Sequence, residues 1–174
     1  PVLPLLGFLL NGLLGARRLP RRAVALIGCA AVLGSLLLSI GAVLDLGPGQ
    51  RFRQDLFVWL PLGPGSARSD AAVAWGYALD PLSAVMILVV TGIGFLIHVY
   101  SVGYMAGEPQ AAFARFFSCL NLFMTMMLTL VLAASLPVLF VGWEGVGLCS
   151  YLLIGFYYDR MFDEQARQSC ADAG

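Results

Sequence analysis

Ala23-Val-Ala-Leu-Ile-Gly-Cys-Ala-Ala-Val-Leu-Gly-Ser-Leu-Leu-Leu-Ser-Ile-Gly-Ala-Val-Leu-Asp-Leu46 runs for 24 residues with Asp45 as its only charge, and Gly47, Pro48 and Gly49 close it. A helix needs about 20 predominantly apolar residues to cross the hydrocarbon of a bilayer. The run is predicted to be such a helix, stopped by its Gly-Pro-Gly punctuation. Composition extends that reading to the whole chain. Of 174 residues, 60% are hydrophobic and only 11% are Asp, Glu, Lys or Arg, with a mean hydropathy of +0.87. A soluble domain spends about 25% on those four charged types. This is the composition of a membrane protein, or of a piece of one.

Working outward, Val2–Ala16 is a first apolar stretch, followed by a basic turn with Arg17, Arg18, Arg21 and Arg22 around Pro20. A secretory leader carries its basic residues ahead of its apolar stretch. Here the arginines follow it, so a first spanning helix is expected, and Pro1 is not expected to be the natural start. Gln50–Leu79 is a long polar connection. Within it, Phe52, Leu56, Phe57, Val58 and Trp59 point to a short strand, and Ala72–Leu79 to a second, with Pro61, Gly63, Pro64 and Gly65 turning the chain between them. Trp59, Trp75 and Tyr77 are expected to anchor this segment at the membrane interface.

Asp80 and Pro81 read as the N-cap and first turn of a third helix that continues to Tyr104. A fourth is expected over Phe113–Ala134, and a fifth from Pro137 to Tyr158. The predicted architecture is all-α: a polytopic membrane bundle of about five helices with a short external β-hairpin-like segment. It divides into helices 1 and 2 (residues 1–46), an external loop (47–79), helices 3 to 5 (80–158) and the start of a cytoplasmic loop (159–174).

The arginines orient the bundle. Arg17, Arg18, Arg21, Arg22, Arg115, Arg160 and Arg167 share one side, against Arg51, Arg53 and Arg68 on the other. The positive-inside rule places the first group in the cytoplasm and the N-terminus outside. Ten arginines balance ten carboxylates and there is no lysine, so nothing in the overall charge attracts nucleic acid. Cys29, Cys119 and Cys149 lie in apolar stretches, Cys170 lies in the polar tail, and none forms a Cys-x-x-Cys pair. Neither a zinc ribbon nor an iron–sulfur site is expected.

Glu144 is the most informative residue. From Val138 to Phe156 it is the sole charge, and a charge at the centre of a spanning helix costs at least about 2.5–3.5 kcal/mol on insertion scales. Such a carboxylate must face protein or water, and either meets a cation or holds its proton. No lysine is present and no arginine lies at its depth, so a cationic partner would come from outside these residues. A proton relay, an ion-pair switch and a structural tie to a neighbouring helix all fit that position. Gly142, Gly145 and Gly147 around it allow close helix approach. His98, the only histidine, lies toward the cytoplasmic end of the third helix. An imidazole can exchange protons near neutrality, and a hydrogen-bonded interfacial histidine fits equally. Asn121, Thr125, Thr129 and Ser150 either line a hydrated path or bond helix to helix, the second being favoured. No catalytic triad or nucleotide motif is present.

The run Phe140-Val-Gly-Trp-Glu-Gly-Val-Gly-Leu-Cys-Ser-Tyr-Leu-Leu-Ile-Gly-Phe-Tyr-Tyr158 closely resembles the fifth-helix signature of the subunit L family of NADH–quinone oxidoreductase (respiratory complex I), whose mitochondrial counterpart is subunit 5. Thr91–Met105, Arg115-Phe-Phe, Asn121-Leu-Phe and Leu128–Ala133 add to the likeness, which is strong from Leu79 to Tyr158; residues 1–78 match in layout only. Ala134-Ser135-Leu136-Pro137 departs from the acid or asparagine that the family often carries in this turn.

The resemblance implies an antiporter-like, proton-translocating membrane subunit, of which this chain is the N-terminal portion. Glu144 would match the family's fifth-helix glutamate, which pairs with a lysine on the seventh helix, and His98 would match a third-helix histidine with a part in proton transfer. No cofactor or metal is implied on this chain; FMN, iron–sulfur clusters and quinone would belong to partner subunits. Its partners would be the other membrane subunits of complex I, the peripheral redox arm and the lipid bilayer. A bacterial inner membrane is expected rather than a mitochondrial one, from arginine without lysine and abundant Gly, Ala and Leu. The large subunit of a multisubunit sodium/proton antiporter is the alternative, and a purely structural scaffold is a third reading.

Overall fold

The computed structural model describes residues 1–15, 18–47, 50–60 and 73–158. Five α-helices carry the architecture: α1 (Val2–Leu14), α2 (Arg21–Asp45), α3 (Pro81–Tyr104), α4 (Gln110–Leu132) and α5 (Leu136–Ile154), the last prolonged by a 3-10 turn over Gly155–Tyr157. By length and composition, α2, α3, α4 and α5 with its 3-10 turn are each able to cross a membrane. Helix α1 has 13 described residues, about 20 Å at 1.5 Å per residue, against a hydrocarbon core of about 30 Å. The chain is a multi-pass helical membrane bundle, as its composition predicts. The turn expected at Pro61–Gly65 and everything after Tyr158, Cys170 included, lie outside the described residues.

Helix starts follow local chemistry. Helix α2 begins directly after Pro20, and α4 directly after Pro109, three residues earlier than the apolar pattern alone indicates. A proline preceding a helix costs it no bond, because the first N–H groups have no intrahelical acceptor.

Helix α3 has the best-made start. Asp80 Oδ1 accepts the Ser83 backbone N–H at 2.7 Å, while the Asp80 N–H donates to Ser83 Oγ at 2.8 Å, a reciprocal capping box with Pro81 following the cap. Hydrogen bonds from the Ser83 hydroxyl and backbone, with a smaller contribution from Arg51, hold the Asp80 carboxyl below its ordinary value of 3.8. A depressed folded-state value means that the cap stabilises the fold above the unfolded carboxylate range and loses that contribution as pH falls through the folded value. In a thermal-shift pH series, Asp80→Ala is expected to melt below wild type at neutral pH. The gap is expected to close below about pH 4.

Between α2 and α3 lies an antiparallel hairpin of β1 (Phe52–Leu60) and β2 (Val73–Leu79), in register from Phe52 opposite Leu79 to Leu60 opposite Val73. Two irregularities, at Leu56 and at Trp59, leave those residues unpaired and twist β1. Gly76 opposes Asp55, whose side chain occupies the space that a Cβ would need. The Trp75 ring stacks on Phe57 and meets Trp59 edge-on at 5.3 Å. The hairpin is tied to the bundle at the α4–α5 junction, where the Ala134 N–H donates to the Gly76 carbonyl at 3.1 Å.

Helix α4 is the central element and packs on α1, α2, α3 and α5, whereas α5 packs chiefly on α4. At the end opposite the hairpin, Val24, Ala25, Met105, Phe113, Ala114, Phe117 and Phe156 form the main buried apolar cluster. The α1–α2 and α3–α4 turns are locked together there. The Arg21 guanidinium donates to the carbonyls of Ala106 and Glu108 and lies over the Phe113 ring at 5.3 Å. Gln110 Nε2 donates to the Leu19 and Gly15 carbonyls at 2.9 and 3.2 Å. Arg21→Ala removes both guanidinium bonds, and a charged hydrogen bond contributes about 1.5–3 kcal/mol, less where water reaches it. A lowered melting temperature is expected. Arg21→Lys should recover only part of the loss, because an ammonium on a flexible stem lacks the rigid planar fork that presents two donors at once.

Candidate functional site

Glu144 is the ninth of the 19 residues of α5, so it sits near mid-helix. Gly142 and Gly145 turn the helix's narrow side to Leu130 and Met126 of α4. Glu144 lies on another side, exposed on the outer face with Phe140, Trp143, Leu148 and Tyr151. Among the described residues it makes no hydrogen bond or ion pair. The one salt bridge found there joins Arg53 and Asp55 on the hairpin. A charged carboxylate facing lipid at mid-membrane depth costs at least about 2.5–3.5 kcal/mol on insertion scales.

His98 is elsewhere. It projects from α3 into the bundle with no exposed surface, and its ring meets Phe117 of α4 edge-on at 6.2 Å. Nδ1 lies 2.8 Å from the Gly94 carbonyl. A carbonyl only accepts, so Nδ1 carries a proton and, in the neutral ring, Nε2 is an acceptor. Nε2 has no partner among the described residues. A cavity of about 220 Å³ adjoins the ring, walled by Val89, Ile93, Gly94, Ile97, Phe123 and Met127 among others. The 3.6-residue period carries His98 to the same inner face as Thr91, Gly94 and Ser101, where it is hydrogen-bonded and buried between helices. The bundle does not bring Glu144 and His98 into one site.

The in-span polar residues need correction. Thr125, Thr129 and Ser150 each donate to the carbonyl four residues earlier in their own helix, at 2.9–3.0 Å, and Asn121 Nδ2 does the same to Phe117. Their bonds stay within the helix instead of joining neighbours, because a spanning helix offers its own i−4 carbonyl closer than any other. The bonds that cross between helices come from other residues: Ser118 Oγ to the Phe8 carbonyl at 3.0 Å and Asn11 Nδ2 to the Val24 carbonyl at 3.2 Å. Asn11 was legible in outline as the lone strongly polar side chain of an apolar first helix, four residues from both Gly7 and Gly15.

Of the cysteines, Cys149 is buried and Cys29 and Cys119 are half-buried, all as free thiols. Among the described residues no three of His, Cys, Asp and Glu come together as a metal site.

The family model described as "NADH-Ubiquinone oxidoreductase (complex I), chain 5 N-terminus" matches residues 67–117. The chain is 43% identical over 159 residues to NADH-quinone oxidoreductase subunit L of Escherichia coli (strain K12), an alignment covering 90% of this chain and 24% of that one. With subunit L of Mycobacterium tuberculosis (strain ATCC 25618 / H37Rv) it shares 45% identity over 141 residues, 78% of this chain and 21% of that one. With NADH-ubiquinone oxidoreductase chain 5 of Podospora anserina it shares 38% over 166 residues, 95% and 24% respectively. Among solved structures, a chain in the Mrp complex from Dietzia sp. DQ12-45-1b matches with a TM-score of 0.65 and 25% identity, covering 88% of this chain and 15% of that one.

The alignments, over 90% and 95% of the chain, take in much of residues 1–78 as well. The chain spans about a quarter of the length of these curated relatives. At the level of family, the chain matches the N-terminal portion of the NADH-quinone oxidoreductase subunit L and chain 5 proteins.

Proposed function

We propose that this chain is the N-terminal portion of a proton-translocating, antiporter-like membrane subunit of an NADH–quinone oxidoreductase, and that Glu144 is its proton-coupled charge. One observation carries the reading: a carboxylate at mid-depth, unpaired among the described residues, displayed on the face of an apolar helix that its own bundle leaves uncovered. The partner would be a lysine supplied by a helix beyond the described residues, as the family resemblance implies.

Opposite charges in a low-dielectric setting favour each other's ionised forms. Forming the Glu144 pair raises the lysine's hold on its proton; breaking it releases that proton. Redox steps in partner subunits, where FMN, iron–sulfur clusters and quinone reside in this reading, would drive the alternation through charged groups near the membrane midplane. His98 takes a second, separate part in proton exchange, through the unpartnered Nε2 acceptor inside the bundle. The membrane is a bacterial inner membrane, with the N-terminus outside and the Arg18–Arg22 turn in the cytoplasm.

The test is mass-spectrometric identification of what co-purifies with the native, mildly solubilised full-length protein. Peripheral NADH-oxidising and iron–sulfur subunits are the expected companions. Recovery of small membrane subunits alone, with no redox partners, would overturn the assignment in favour of a multisubunit sodium/proton antiporter.

A further inference from the structure

Arg115 is the sixth residue of α4, about 7.5 Å along the helix at 1.5 Å per residue, at the end of the bundle that carries the arginine-rich turn. Its side chain is exposed, and its guanidinium lies over the Phe156 ring at 5.0 Å. That ring is a fixed platform. It is buried, and Phe116 and Tyr157 meet it edge-on at 5.4 and 5.2 Å. Arg21 is held over Phe113 in a similar way, but its donors are committed to the carbonyls of Ala106 and Glu108. Arg115 has the stacking without the acceptors: among the described residues it makes no hydrogen bond and no ion pair. A guanidinium stacked on a ring keeps its N–H donors in one plane, the fork that matches a phosphate or a carboxylate.

Two grooves meet at this residue. One, of about 420 Å³, lies between α4 and the end of α5, where Cys119, Tyr151, Leu152 and Gly155 join Arg115 in its walls. The other, of about 630 Å³, lies between α1 and α4, where Phe8, Gly12, Ala112 and Ser118 face Arg115 and Cys119. Arg115 and Cys119 line both, so α4 is the ridge between the grooves, and Arg115 stands a turn nearer the membrane surface than Cys119. A phosphodiester carrying two acyl chains matches that shape, with the phosphate on the guanidinium fork and one chain in each groove. A carboxylate side chain would satisfy Arg115 and leave both grooves unfilled. No Asp or Glu lines either groove among the described residues, so a headgroup ammonium would find no counter-charge beside the arginine. An anionic headgroup is favoured over a zwitterionic one. Basic residues flanking a spanning helix attract such lipids, and Arg18, Arg21 and Arg22 precede or open α2 at this same end.

We propose that Arg115 and its two flanking grooves bind one anionic glycerophospholipid, phosphate on the guanidinium and a chain along each side of α4. The site involves neither Glu144 nor His98, and it stands whether or not those residues carry protons.

The test is photo-crosslinking in the intact assembly, reconstituted with a phosphatidylglycerol that carries a diazirine in one acyl chain. The α4 and α5 peptides around Cys119 and Leu152 are expected to be labelled in the wild type, and several-fold less in Arg115→Gln. A phosphatidylcholine probe with the same chains is expected to label them several-fold less than the phosphatidylglycerol probe. Equal labelling by the two probes, or undiminished labelling of Arg115→Gln, overturns the proposal. A high-resolution cryo-electron microscopy map of the wild-type assembly decides the matter even if the variant fails to assemble. Phosphate density about 2.7–2.9 Å from the guanidinium nitrogens, with a chain in each groove, is the expected result. A protein carboxylate on Arg115, a helix filling the grooves, or grooves without lipid would overturn it.

Discussion

In Glu144→Gln, proton translocation coupled to quinone reduction is expected to fall at least about fivefold, the lower end of the 1–3 kcal/mol range typical of coupling between sites. Assembly should stay near wild type. Glutamine preserves the shape of the side chain and cannot carry the charge. Because Glu144 makes no hydrogen bond or ion pair among the described residues, its loss leaves the bundle's own contacts intact. Electron transfer from NADH to an artificial acceptor, which bypasses the membrane arm, should be unchanged. That separation distinguishes a coupling charge from a structural one. Glu144→Asp keeps the charge but shortens its reach by one methylene, and an intermediate rate is expected. Wild-type pumping in Glu144→Gln would remove the proposed role.

The spans were legible because membrane crossing is a property of length and composition, which any window of the chain displays. The run from Ala23 to Leu46 needs no knowledge of its neighbours to be read. The same holds for the hairpin, whose aromatic strands are bounded by Pro and Gly, and for Asp80, whose cap is made with a residue three positions on. What the sequence hid are the facts that depend on which helix faces meet. Helix α5 is apolar nearly all round, so no amphipathic pattern told that Gly142 turns inward and Glu144 outward. His98 was read by its distance from a helix end, when its face decided its burial. The threonines of α4 looked like ties between helices, and the i−4 carbonyl claimed them first. Arg21 and Gln110, which lock two turns more than 80 residues apart in sequence, carry no local signal of that contact.

Gly142→Ala is expected to produce the largest structural loss of any single methyl added to α5. The new Cβ would stand 2.6 Å from the Leu130 backbone nitrogen and 2.7 Å from its Cα. Backbone atoms inside a helix cannot rotate away, so the whole of α5 must back off α4, its chief contact. Overpacking of this kind costs about 1–3 kcal/mol, and a membrane interface built on close approach of small residues has little else to offset it. Gly145→Ala meets Met126 instead. A thioether side chain on rotatable bonds can withdraw, so a mild effect is expected. On blue-native gels, the amount of assembled complex should rank wild type, then Gly145→Ala, then Gly142→Ala well below. Gly147 extends the series to the outer face, where a Cβ meets nothing within 4 Å among the described residues. If lipid covered that face, Gly147→Leu would be harmless. If a further helix packs against Glu144, the leucine should obstruct it and reduce coupled proton translocation while the α4–α5 contact stays whole. Normal coupling in Gly147→Leu beside a collapsed Gly142→Ala would leave the outer face of α5 without a close neighbour, and Glu144 without the pairing its proposed role requires.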